Sequence, residues 1–323
     1  MRRVEVTEFG GSDALDVTEA ETPEPGPGQV RIKVEAAGVN FADIMQRRGH
    51  YVGGPDPTYV PGMEAAGAID AVGDGVEYEE GDRVVAMTGR GGYADYALAD
   101  ADSLFEVPEP MSFAEAAGFP VQFLTAHAVL HEWGKLEDGE RVLVHAAAGG
   151  VGTAAVQLAS AAGAEVFGTA STDEKLDLAE RLGCDHPINY EESDFREVVA
   201  DRTDDEGVDL VLDGVGGETF ARSIDALSHF GRVVAYGAAS GEPGEVDTTR
   251  LLFENKSVLG FHLGNALQRD PQRILKAVPE LQELLASGEL EVVVGERFPL
   301  EAAAEAHEAI ENRETVGKVV LEP

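Results

Sequence analysis

The chain has 323 residues, with 61 acidic against 24 basic side chains and a net charge of −37. That length holds two domains and a large core, and a hydrophobic content of 43% excludes a disordered acidic chain. The negative charge argues against nucleic acid or an anionic membrane as a partner.

In chain order, the start MRRVEVTEFG lacks the apolar core of a signal peptide, and no run approaches ~18 apolar residues. A soluble, cytoplasmic protein is the expectation. Residues 1–121 are rich in Gly, Pro and Val. Alternating runs at 30–36, 65–72 and 83–86 predict strands of an antiparallel, barrel-like domain, with a Pro/Gly loop at 22–29 and turns within 72–84. From 122 the pattern changes. A helix is predicted at 122–133, a strand at 142–145, a glycine-rich turn and an Ala-rich helix, then a strand at 164–169 and a helix from Asp173. Further strands are predicted at 209–213, 232–236 and 257–260. This alternation implies an α/β fold with a doubly wound parallel sheet. The tail offers a helix at 272–288 and strands at 291–295 and 318–323 that return to the first domain.

The stretch VLVHAAAGGVGTAAVQLASAAG at 142–163 carries the most chemistry. Strand, glycine turn and helix build a dinucleotide site, because small residues let backbone amides and a helix N-terminus approach a pyrophosphate. Against G-x-G-x-x-G, Ala147 stands at the first glycine position, Gly149 at the second and Gly152 at the third. Ala148, Gly149, Gly150 and Val151 are the expected contacts. An NAD-specific site would end the next strand on an acid that holds the ribose 2′-hydroxyl. Here it runs into Thr169, Ala170, Ser171 and Thr172, and Lys175 follows. Loss of the acid and gain of a cation favour a 2′-phosphate, hence NADPH; the alternative is a solvated helix lysine beside Asp173 and Glu174.

Cys184, the only cysteine, excludes a disulfide within the chain and most zinc sites. It reads as a small buried residue in preference to a reactive thiol. Acids are spread along the chain and only six of the basic residues are lysine. That is the surface expected of a protein adapted to concentrated salt, where the Debye length falls to ~3 Å.

AAGVNFADIMQRRGHY at 36–51, PGMEAAG at 61–67, GDRV at 81–84, HAAAGGVG at 145–152, INY at 188–190 and RETVGKVVL at 313–321 occur in this order. With them the chain resembles, over nearly its full length, the zinc-independent quinone oxidoreductases (the zeta-crystallin branch) of the medium-chain dehydrogenase/reductase superfamily. The 36–67 region looks most like the synaptic-vesicle membrane subgroup. The resemblance implies a GroES-like catalytic domain split into 1–121 and 262–323, a Rossmann NADP(H)-binding domain at 122–261, and a homodimer. It also implies that Ser171, Lys175, Tyr190 and Arg313 hold the 2′-phosphate and that Thr125 reaches the nicotinamide side. Asp213, Gly214 and Val215 match a strand end near the ribose and pyridine ring. Tyr236, Gly237 and Ala238 match the next strand end, and Phe261, His262 and Leu263 match the segment crossing the nicotinamide. Val215 and Ala238 have packing as the alternative.

Asn40, Asp43 and Tyr51 match polar positions facing the nicotinamide and stand as the catalytic candidates. Asn40 is also a cofactor contact, and Asp43 has a structural helix role as its alternative. Met45 departs from a tyrosine frequent in the family. Zinc-dependent relatives carry Cys where this chain has Asn40 and His where it has Met63, and neither Asn nor Met is a normal zinc ligand. Lone His127, His145 and His262 make no ligand cluster. No metal is expected. The implied activity is NADPH-dependent reduction of a small-molecule quinone. The alternatives are reduction of another electrophilic acceptor, an activated alkene such as an enone or enoyl thioester, and non-catalytic NADPH binding.

Overall fold

A computed structural model describes residues 1–323. The chain forms two compact units, one made of Met1–Val121 with Val292–Pro323 and the other of Gln122–Glu291. Strands β1 (Arg2–Val6), β2 (Leu15–Glu19), β3 (Gln29–Val39), β4 (Glu64–Val72), β5 (Arg83–Met87), β6 (Tyr96–Asp100) and β7 (Leu104–Glu106) belong to the first unit. Strands β8 (Arg141–Val144), β9 (Glu165–Ala170), β10 (His186–Asn189), β11 (Val208–Asp213), β12 (Leu227–Ala235) and β13 (Ser257–Gly260) build the second. Strands β14 (Val294–Pro299) and β15 (Lys318–Glu322) return to the first.

The first unit is a β-rich domain. Its main sheet runs β14-β15-β3-β4-β5-β7, with β6 also paired to β3. Pairing is antiparallel except between β14 and β15. Strand β3 shows why: Val30, Ile32 and Val34 are buried and Lys33 and Glu35 exposed, the period of a half-buried strand. From Ala36 to Val39 both faces are covered. There the strand meets β15 and leads into the helix Phe41–Arg47.

The second unit is a parallel six-stranded sheet, ordered β10-β9-β8-β11-β12-β13. Numbered from β8, this is the doubly wound order 3-2-1-4-5-6, with its reversal between β8 and β11. Val142, Leu143, Val144, Leu210, Val211 and Leu212 have no exposed surface, as expected for strands covered on both faces.

The expected boundary at 261/262 moves to 291/292. Side-chain chemistry explains the correction. The Trp133 and Phe261 rings meet edge-on with centroids 4.7 Å apart, and the Arg273 guanidinium lies 4.1 Å over Trp133. Glu132 binds Arg273 and Lys276, and the Gln157 amide pairs with the backbone of Glu291. The long tail helix divides into Pro271–Leu275 and Val278–Ser287, with Pro279 near the start of the second piece. The helix expected at 122–133 spans Pro120–His127 and continues as a π-helical turn over Ala128–Trp133. The strand expected at 291–295 is shifted to Val294–Pro299. Cys184 is buried against Val166, and burial pushes its thiol up to about 12, so it is unreactive.

Candidate functional site

In the second unit, β8 feeds a turn whose tight residue is Ala146, at φ +52°, and not the Ala147 expected to replace the first glycine. A β-carbon in the left-handed region costs roughly 1 kcal/mol or more, the kind of strain that collects at functional turns. Ala147 is accommodated by β9: a β-carbon at Gly168 would stand 2.9 Å from the Ala147 methyl. Gly152 is obligatory, because a β-carbon there would lie 2.1 Å from the Ala146 carbonyl oxygen. The helix Gly150–Ala161 then starts at Gly149 with no side-chain cap and no acid in its first turn. Its first internal bond is from Thr153 N–H to the Gly149 carbonyl. The N–H groups of Gly150, Val151 and Gly152 are therefore left for an anion. Ala148 is buried beneath this turn.

At the end of β9, the Tyr190 N–H bonds the Ala170 carbonyl at 3.1 Å, which brings Tyr190 beside Ser171. Thr172 caps the helix Asp173–Arg181 by accepting from the Lys175 N–H. Ser171, Lys175 and Tyr190 thus gather at one strand end, all half-buried. Arg313 is exposed and belongs to the other unit. At the end of β11, one Asp213 oxygen accepts from the N–H groups of Val215 and Gly216, at 2.6 and 2.9 Å. Its other oxygen is buried without a partner. Asp213 therefore shapes the turn that carries Gly214 and Val215. Burial raises the Tyr236 phenol, and Asp213 raises it further. Thr125, Phe261 and Leu263 are buried.

The ends of β12 and β13 open into a pocket of about 660 Å³ in the second unit. Its walls include Tyr236, Gly237, Ala238, Phe261 and His262, all expected from the sequence, together with Trp133, Asn265 and Arg269, which were not. His145 and His127 are buried. His145 is hydrogen-bonded to Thr169 at 3.0 Å and Ser223 at 2.8 Å, and burial lowers it to about 4. His127 is likewise lowered to about 4. His262 caps its helix, with Nδ1 accepting from the Asn265 N–H.

In the first unit the polar centre is a buried ion pair. Lys318 Nζ donates to Glu64 Oε1 at 2.5 Å and to Asn40 Oδ1 at 2.7 Å. Asn40 Nδ2 donates to Glu64 Oε1 at 2.9 Å, and Glu64 Oε2 accepts from the Val121 N–H at 2.9 Å. Glu64 is 0% and Lys318 2% exposed. These partners fix which end of the Asn40 amide is oxygen, and leave one amide N–H unused. The Met63 side of PGMEAAG supplies no ligand, and no group of three His, Cys, Asp or Glu is placed to hold a metal ion.

Asp43, a catalytic candidate with a structural helix role as its alternative, lies in the helix-entry turn. It is fully buried and accepts from the N–H groups of Asn40 at 2.9 Å and Gly62 at 3.2 Å. The Tyr93 hydroxyl lies 3.4 Å away and bonds His307, which in turn meets the buried Arg47. Burial dominates and raises the Asp43 carboxyl to about 7. This carboxyl holds the Asn40 backbone and has no exposed surface. Tyr51 is half-buried, and burial followed by Asp43 raises its phenol. Met45 is half-buried on the same helix.

The sequence reading missed Glu64 and Lys318. The signal was present: a lysine heading the apolar run KVVL demands a buried counter-charge.

Two family models match, "Alcohol dehydrogenase GroES-like domain" over residues 26–109 and "Zinc-binding dehydrogenase" over 150–283. The human synaptic vesicle membrane protein VAT-1 homolog is 37% identical, covering 100% of this chain and 86% of its own length. A Burkholderia 2-haloacrylate reductase is 37% identical over 97% of this chain and 96% of its own. The Escherichia coli quinone oxidoreductase complexed with NADPH superposes with a TM-score of 0.93 at 34% identity, covering both chains completely. The chain belongs to the zinc-independent quinone oxidoreductase branch of the medium-chain dehydrogenase/reductase superfamily.

Removing one partner of the buried pair leaves the other charge unpaired. Lys318→Met should cost ~3–5 kcal/mol of stability, and Glu64→Gln with Lys318→Met clearly less than the two single changes added. Additive losses in chemical denaturation would show that the pair does not interact. Asp43 gives a pH signature. A carboxyl raised on folding contributes stability below its unfolded value, near 4, which is lost as pH rises through about 7. Asp43→Asn should therefore gain on the parent between pH 4 and 7 in urea unfolding. A constant difference across that window would contradict it.

Proposed function

We propose that the protein reduces a quinone with NADPH and uses no metal. The observation that carries this reading is the uncapped helix Gly150–Ala161 behind a turn where Gly152 admits no β-carbon. Bare N–H groups and close backbone approach suit a pyrophosphate. Ser171, Lys175 and Tyr190 at the end of β9, with no acid ending that strand, suit a 2′-phosphate, and Arg313 is the fourth proposed contact. The NADPH complex of the E. coli quinone oxidoreductase supports the same cofactor.

NADPH, when bound, supplies a hydride. The chain's task is to bind, orient and exclude water. The pocket at β12 and β13, whose walls include the proposed nicotinamide contacts, offers aromatic and glycine surface beside which a flat acceptor can stack. The remaining Asn40 N–H donates to the acceptor carbonyl or the nicotinamide carboxamide, held in place by Lys318, Glu64 and Asp43. Tyr51 lines the acceptor side. The acceptor takes the hydride and then a proton from water, so a quinone becomes a hydroquinone. No side chain need act as an obligate acid.

A second acceptor class, an activated alkene, is favoured by the Burkholderia 2-haloacrylate reductase at 37% identity. The reading includes a homodimer. Phe230, Leu252 and Phe253 are 72–76% exposed. They lie on β12 and the helix Thr248–Glu254, in the unit whose sheet ends at the open edge of β13. It also includes a surface adapted to salt. No helix is long and apolar enough to cross a membrane.

With 1,4-benzoquinone and a chelator present, kcat/KM for NADPH should exceed that for NADH by about tenfold or more. Lys175→Ala and Arg313→Ala should raise the KM for NADPH and leave NADH nearly unaffected. Equal use of both cofactors overturns the phosphate site, and tight NADPH binding without oxidation by any acceptor points to a non-catalytic binder. A salt series tests the surface and the assembly together. From dilute buffer to molar KCl, Tm should rise by about 10 °C or more, where each kcal/mol shifts Tm by ~2–4 °C. Light scattering should give twice the 34.1 kDa chain mass. A flat Tm or a 34 kDa particle would remove the corresponding claim.

A further inference from the structure

The pocket at the ends of β12 and β13 has an unusual charge pattern. In a chain with 61 acidic residues, no Asp or Glu lines it. Its one Lys or Arg is Arg269, at the end of the helix Leu263–Arg269. Arginines and lysines on neighbouring elements are matched: Arg273 and Lys276 with Glu132, Arg250 with Asp225, and Lys256 with Glu254. Arg269 makes no ion pair. Asn265 precedes it by four residues, so both side chains project from one face of the helix onto the same wall. The same pocket is lined by Trp133, Tyr236 and Phe261, which present flat apolar surface.

We infer that Arg269 and Asn265 form the recognition site for a carboxylate on the acceptor, so that the pocket selects conjugated acceptors carrying an anionic group. The inference rests on the proposed oxidoreductase reading and adds the substrate's charge to it. A guanidinium without an ion pair, on the exposed side of a pocket lined by no acid, offers a forked donor set for a carboxylate, and the Asn265 amide adds one more donor. The aromatic walls take the conjugated body. An acidic side chain at the same wall would neutralise Arg269 and repel such a ligand. Excluding acids there, in a chain this negative, keeps the site open to an anion.

Helix position alone gives Arg269 a different role, since a cation in a last turn complements the helix dipole. The two roles separate kinetically. The probes are 3-benzoylacrylate and its methyl ester, which share the enone and differ in the carboxylate, with 1,4-benzoquinone as a third acceptor and NADPH throughout. For the parent protein, kcat/KM for the acid should exceed that for the ester by about tenfold. Arg269→Gln should lower that ratio about tenfold through the KM of the acid, and Arg269→Lys should restore part of it. A drop in both acceptors alike, or in Tm with the ratio unchanged, assigns Arg269 to the helix end and overturns the inference. An acid no better than its ester in the parent overturns it too. Absence of NADPH oxidation with all three acceptors instead removes the oxidoreductase reading on which it rests.

Discussion

The first unit depends on one buried ion pair. Glu64 and Lys318 sit at the starts of β4 and β15, two strands that flank β3, and neither has more than 2% of its surface exposed. Desolvating two charges costs several kcal/mol each, and only good geometry offsets it. Here one Glu64 oxygen takes Lys318 and Asn40, and the other takes the Val121 N–H. The pair therefore holds three separate parts of the chain: the entry to the helix Phe41–Arg47, the last residue of the unit's long segment, and the C-terminal strand. Two of the residues around it, Asn40 and Met63, are not normal zinc ligands. A charge pair with an amide now organises the polar centre from within the chain.

A similar economy governs the second unit, with strain in place of charge. Ala146 adopts a left-handed conformation that L residues avoid, and Gly152 leaves no room for a side chain. The helix that follows has no cap. Each feature is unfavourable in the isolated fold, and together they leave the backbone N–H groups of the first helical turn bare. A stability-optimised turn would have glycine at 146 and Ser, Thr or Asp at the helix start. That this turn has neither fits a segment whose missing partner is an anionic ligand.

Much of this was legible from the residues. Continuous apolar runs in β8 and β11, and strict alternation in β3, follow directly from whether a strand is covered on one face or two, so the parallel and antiparallel sheets could be told apart. The turn after β8 was placed by its small residues; the left-handed residue in it is Ala146, one before the first glycine position. The room for the Ala147 methyl depends on Gly168 of the neighbouring strand, a contact no local pattern encodes. The domain boundary was misplaced for the same reason. Residues 262–291 are mostly helical; what ties them to the second unit is Glu132 and Trp133, some 140 residues earlier, meeting Arg273, and Gln157 meeting the Glu291 backbone. Asp43 was read as a polar residue facing the cofactor. Its place at the third position of a helix started by Asn40 is also a capping signal, and burial shows that the capping role prevails.

The negative charge sets the terms on which any anion is bound. A chain of net charge −37 repels NADPH and an anionic acceptor at long range, so diffusional steering works against both in dilute buffer. Molar salt shortens the Debye length to ~3 Å and removes that repulsion, but leaves hydrogen-bonded contacts largely in place. On the proposed reading, recognition is then carried by the few cations that donate hydrogen bonds directly to the ligand. Lys175 at the end of β9, one of only six lysines, and Arg269 in an acid-free wall are placed as such a division requires. On the proposed reading, the acidic surface serves solubility and specificity falls to single basic residues on the helices Asp173–Arg181 and Leu263–Arg269.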